Sequence, residues 1–508
     1  MNTRPNRREA MRWLFSASLG TLAAEKLSAG TTVLQGQSRK VDFDSVGSRI
    51  QQSIGRGDAT GVAVAVVQSG RIVWEEGFGW ANQEAGVKAT AHTPFSLASI
   101  TKPFTTTTMM TLVAEGKLAL DAPANKYLEG FQIAGTARHA EAVTVRLLGA
   151  HASGLPGIFQ SYGSEEQRLV PNPETLLRAY GRLAYPPAIC YEYSNLGFAA
   201  LNAIALALTQ TELQALMQRR VLAPLGLNNT FFGTDTVRVA SGAQRYDAHG
   251  RLIPHYTTST PASGELYASA HDLARFALFN MRQRAKGQAT ILSAKNLEEL
   301  HRPVFTGPSG VATTFGWFRS RTTAGIPFLF KSGGDPGVAN RMCFVPSKDL
   351  ACVVVTNRSN GWELANSVCD EVLTNYLSDW RRPIEDCGFA SKPFVAAATW
   401  RGRWQGSLEG GGANMRVELN IHSDDAATLA IGSGRAEEVT ELRSEGEAFT
   451  GLCTGEIDSP DAVRTGARTL QIKLLPVANR LLGRAFDIAG DPNVKNVRLP
   501  FVLTLSRS

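Results

Sequence analysis

Cysteine is scarce. Six in 508 residues are too few for a disulfide-stapled scaffold, so an apolar core must hold the fold. No uncharged apolar run reaches the eighteen or so residues that span a bilayer, which argues against an integral membrane protein. Clustered Lys/Arg is missing, and with it the electrostatic footprint of a nucleic-acid binder. The eight histidines show no metal-ligand spacing such as H-E-x-x-H, so neither a metal nor another cofactor is expected. No serine has glycine both two residues before and two after it, which excludes the nucleophile elbow of α/β-hydrolases.

What is present is the composition of a folded globular protein, 43% hydrophobic and 19% charged, at a length that predicts two or three domains. The first residues, MNTRPNRREAMRWLFSASLGTLAAEKLSAG, combine a basic start, the pair Arg7-Arg8, an uncharged stretch from Trp13 to Ala24 and then small residues. This looks like an export signal of the twin-arginine type over residues 1–30, predicting an exported, periplasmic protein; the alternative is a short amphipathic helix. The segment carries five basic and two acidic residues, so the formal charge of +7 falls to about +4 without it.

GVAVAVVQSGRIVWEEGFGWAN reads as a hairpin broken at Gln68-Ser69-Gly70. Residues 121 to 270 mix helical patterns with loops, and SAHDLARFALFNMRQ and SAKNLEELHRPV are helices opened by serine. Three strand-like runs around PFLFKSGG, NRMCFVPS and DLACVVVTN lead into a helix, WELANSVCDEVLTNYL. Strands at both ends with helices between imply an α+β fold: an antiparallel sheet flanked by the first and last helices, plus an all-helical lobe, over residues 41–382. Residues 383–399 read as a linker. From 400 to 508 the alternation in MRVELNI, ATLAIG, TLQIKLL and FVLTLS predicts a small antiparallel β-barrel. A turn at Pro346 to Asp349 places Cys343 opposite Cys352, either bonded or as two buried thiols.

Ser99 and Lys102 stand three apart at what reads as a helix start, where an amine and a hydroxyl share a proton. One S-x-x-K is expected by accident in a chain this long. A serine nucleophile also needs a proton relay and an oxyanion hole. In CYEYSNLGF, Tyr193 and Asn195 alternate about Ser194; in FKSGGDPG, Lys331 and Gly333 share one face of a strand end around Ser332, where glycines admit a ligand to the backbone. Pro103 either fixes the helix start or frees the Ser99 carbonyl. His151 and His271 sit in no motif and read as structural.

S-x-x-K, then Y-x-N, then K-S/T-G resembles the serine β-lactamase and penicillin-binding-protein superfamily, most like class C β-lactamases and their esterase and D-peptidase relatives; LLGAHASGLPG and LGLNNTFF are similar to family segments between the motifs. The resemblance spans roughly residues 45 to 380. It implies a small-molecule or short-peptide substrate, cell-wall fragments among the candidates, and an acyl-enzyme on Ser99. It also implies that Lys102 and Tyr193 handle protons, with the base left open between them. Asn195 would hold the substrate amide, and the N–H groups of Ser99 and Gly334 would form the oxyanion hole. Lys331, Ser332, Gly333 and Gly334 would bind substrate, with the Lys331 charge suited to a carboxylate. A D-peptidase or amidase/esterase ranks first; the alternatives are a simple carboxylesterase and a slowly deacylating penicillin-binding receptor.

Overall fold

The computed structural model describes residues 41–384, 387–396, 399–455, 457, 459, 461, 468–489 and 497–508. The leader-like residues 1–30 lie outside the described residues.

The main sheet is antiparallel, ordered Phe305–Thr306, Ala312–Thr313, Phe318–Arg321, Pro327–Asp335, Val338–Val345, Leu350–Thr356, Gly61–Gln68, Arg71–Asn82 and Val87–Lys88. Strands from both ends of the family-like region thus lie side by side, with Val64 opposite Val354. The apolar run at Gly61–Gln68 is unbroken because both faces are covered. Val62, Val64 and Val66 pack with Val46 and Ile50 of the helix Phe43–Arg56 and with Leu364 and Val368 of the helix Trp362–Tyr376. Ala63, Ala65 and Val67 belong to the core shared with Phe104 and Phe276 of the helices Thr101–Ala114 and Ala270–Asn280. The two-residue period of a strand therefore divides one sequence between two cores, and each fully buried valine contributes about 1.5–3 kcal/mol. Cys343 stands opposite Cys352 across the predicted hairpin, and both are free buried thiols.

The helix Thr101–Ala114 contains TTTT, a poor helix sequence. Its hydroxyls are satisfied locally: Thr107 and Thr108 donate to the carbonyls of Pro103 and Phe104 at 2.8 and 2.9 Å. Thr105 donates to the Ala262 carbonyl at 2.7 Å. The helix can therefore be buried despite its polarity, and Pro103, in its first turn, costs it no hydrogen bond.

The C-terminal barrel has eight antiparallel strands, Gly402–Gly410, Ala413–Ile421, Ala427–Ile431, Glu437–Glu445, Ala448–Thr454, Thr469–Val477, Arg480–Ala489 and Val497–Arg507, closed by pairing of the first with the last. Closure removes the edges, and alternate residues such as Leu419, Ile472, Leu474 and Leu503 fill the interior. Its last strand continues into the helical lobe, where Arg498 pairs with Phe159 of Phe159–Gly163. No single helix among the described residues is long and apolar enough to cross a membrane.

Candidate active site

Ser99 lies in a 3₁₀ turn, Ala98–Ile100, that runs into the helix Thr101–Ala114, rather than in the α-helix itself. Residues three apart eclipse one another in such a turn, so Lys102 still stacks over Ser99. Ala98 takes a left-handed φ of 45°, a strained conformation for a residue with a side chain and one that recurs where a reactive group must be projected.

Two side chains converge on Ser99 Oγ. Lys102 Nζ lies 3.2 Å from it and also donates to the Ser263 carbonyl at 3.0 Å. The Tyr193 hydroxyl donates to it at 2.7 Å. Tyr193 precedes the helix Asn195–Thr209, whose first turn is capped by Ser194 Oγ accepting from Gly197 N–H at 3.0 Å. The cap holds the phenol still.

The strand Pro327–Asp335 forms the opposite wall. A Cβ on Gly333 would collide with the Leu97 carbonyl, so glycine is required for this strand to approach the Ser99 turn. Gly334 is exposed and lines the same cavity as Ser99. Ser332 Oγ accepts from Arg341 at 3.0 Å. Lys331, 1% exposed, is not on the cavity wall; its Nζ sits 5.1 Å from the Tyr193 ring centroid and 4.4 Å from that of Phe318. Asn195 Nδ2 donates to the Ile158 carbonyl at 2.8 Å, which leaves Oδ1 with no partner among the described residues.

Burial, and second the charge of Lys331, hold the Lys102 amine well below its ordinary range, against an opposing pull from Asp335. Burial pushes the Tyr193 phenol up, although its bond to Ser99 opposes this. Both groups are thereby driven toward their neutral forms. Asp335, pushed up to about 7 by burial against Arg245 and Lys102, titrates in the physiological range.

Residues with no motif also take part. His151 stacks on the Tyr193 ring, centroids 4.2 Å apart, and its Nδ1 accepts from Ser194 N–H at 3.1 Å. Burial and the nearby lysines hold it neutral. Only the small residues that follow it, Ala152, Ser153 and Gly154, hint at a tight turn, and His151 does take a left-handed φ of 56°. Glu75, His92 and His271 bring their ligand atoms within 4.8 Å of one another although their spacing in sequence is uninformative; none lines the cavity in front of Ser99.

That cavity, about 360 Å³, is closed on one side by the barrel through Glu445, Lys473, Arg484, Phe486 and Arg498. Its volume suits a small substrate.

Residues 46–367 match the family model for beta-lactamase. Protein flp of Staphylococcus aureus (strain COL) is 25% identical over 316 residues, 61% of each protein, so the chain spans about three fifths of that relative's length. A beta-lactamase of Pseudomonas fluorescens is 24% identical over 348 residues, 62% of this chain and 93% of that protein. Among solved structures, SurE superposes with a TM-score of 0.63 at 21% identity, covering 90% of this chain and 98% of that one, the barrel region included.

Proposed function

Because the chain belongs to the beta-lactamase family, we propose that it is a serine hydrolase that acts through an acyl-enzyme on Ser99, cleaving small amide, β-lactam or ester substrates, short D-amino-acid peptides first among them. The observation that carries this reading is Ser99 Oγ held between Lys102 Nζ and the Tyr193 hydroxyl, at 3.2 and 2.7 Å, at the wall of the cavity. A protein that only bound its ligand would need no such proton-transfer set.

Lys102 is the base. A neutral amine has the lone pair that the Ser99 proton needs, whereas a phenol held above its usual range is a donor. Ser99 Oγ attacks the carbonyl as its proton passes to Lys102. The N–H groups of Ser99 and Gly334 hold the oxyanion, the first helped by the positive end of the helix. Tyr193 gives its proton to the leaving group and regains one from Lys102; water then releases the acyl group. Asn195 Oδ1 accepts from the substrate amide, and His151 fixes the Tyr193 ring.

Hydrolysis of a chromogenic cephalosporin, a p-nitrophenyl ester and a D-amino-acid amide by wild type and Ser99→Ala tests the reading. A simple carboxylesterase is the second reading, favoured by Lys331 standing behind Tyr193 rather than on the cavity wall.

That position supports a reading of Lys331 as part of the proton network. Removing its charge in Lys331→Met lets the Lys102 pKa rise, so the acidic limb of the kcat/KM profile moves to higher pH. A move of about one pH unit costs about tenfold below the limb. The loss should be equal for a cephalosporin and an uncharged ester; a loss confined to the carboxylated substrate would return Lys331 to carboxylate recognition.

We also propose that the enzyme works outside the cytoplasm, on the strength of the leader-like residues 1–30. Fractionation of the host followed by N-terminal sequencing checks this; a cytoplasmic protein starting at Met1 would contradict it.

A further inference from the structure

Two of the three cations on the cavity wall are paired with carboxylates there. Arg484 Nε is 2.6 Å from Glu192 Oε1, and Lys473 Nζ is 2.8 Å from Glu445 Oε2. Asp335 sits among Arg245, Lys102 and Glu265. Arg498 is what remains. Its guanidinium makes no hydrogen bond or ion pair with a described residue, and its buried Nε has no partner. The group lies 5.2 Å from the Phe486 ring centroid. Burial and the like charge of Arg484 work against its charged form, and Glu192, the carboxylate that favours it, is already bonded to Arg484.

A partly buried guanidinium with no carboxylate of its own among the described residues is stabilised when an anion enters. The backbone fixes the position. Arg498 is the second residue of the barrel strand Val497–Arg507, pinned by Ile488 on one side and by Phe159 of the helical lobe on the other. The barrel therefore delivers to the cavity that holds Ser99 a cation with no ion-pair partner among the described residues. Five fixed N–H donors in a planar fork match a carboxylate in two-point contact.

We propose that Arg498 is the carboxylate-recognising residue of this cavity and that the preferred substrate carries a free carboxylate. The assignment rests on the acyl-enzyme reading and adds to it the substrate class and a role for the barrel. A peptide C-terminus and a bicyclic β-lactam both supply such a group.

The test compares matched pairs on wild type, Arg498→Gln and Arg498→Lys: an N-acyl-D-alanyl-D-alanine against its C-terminal amide, and a cephalosporin against its methyl ester. In Arg498→Gln the acid-to-neutral ratio of kcat/KM should fall about 10- to 100-fold, with the change mainly in KM, while Arg498→Lys retains part of the preference. A fall in the peptide pair alone assigns the group to a peptide C-terminus, and a fall in the cephalosporin pair alone to a β-lactam. Ratios unchanged in both pairs would overturn the assignment. Calorimetric titration of N-acetyl-D-alanine and its amide into Ser99→Ala, with and without Arg498→Gln, separates this from the chemistry. A carboxylate preference lost with Arg498 supports the proposal even if Ser99 forms no acyl-enzyme, and its absence refutes the proposal even if Ser99 does.

Discussion

Ser99→Ala should abolish hydrolysis of cephalosporin, ester and D-amino-acid amide alike. The side chain supplies the atom that bonds to the substrate, and neither Lys102 nor Tyr193 can replace it. Losses for a nucleophile acting as one unit with its base are on the order of 10⁴–10⁶-fold in kcat. The fold should survive, because the substitution removes only a hydroxyl at the cavity wall. Circular dichroism and melting temperature close to wild type, with turnover at background, are the expected pair of results. Turnover near the wild-type level would end the acyl-enzyme reading.

Lys102→Met should cost about 10²–10⁴-fold, the range for loss of a general base. Methionine fills the fully buried position with an apolar chain of similar length, and the Ser263 carbonyl loses its 3.0 Å donor, so a modest drop in stability accompanies the loss. Lys102→Arg decides between base and mere positive charge. A guanidinium stays protonated, so it cannot take the Ser99 proton, and this variant should be as inactive as the methionine one. Recovery of activity in Lys102→Arg would show that the site needs only a cation there.

The order of the three motifs was legible because each keeps its chemistry within two to four residues. The 3₁₀ turn at Ser99 was not, yet it left the pairing with Lys102 intact because its period is itself three. Of the barrel, the regularly alternating strands such as Ala413–Ile421 were visible. Gly402–Gly410 and Glu437–Glu445 were hidden by glycines and by a charged outer face, since their strand character comes from partners distant in sequence. Likewise, nothing local to Arg498 or His151 marks their roles: one reaches the cavity through pairing between barrel and lobe, the other acts by stacking on Tyr193.

The central claim is a covalent bond to Ser99. Intact-mass spectrometry after incubation with a penicillin or an activated ester, followed by peptide mapping, tests it most directly. The account predicts an added mass equal to the acyl group, confined to the peptide containing Ser99, decaying with time and absent in Ser99→Ala. An adduct on another residue, or the same adduct in Ser99→Ala, would contradict it.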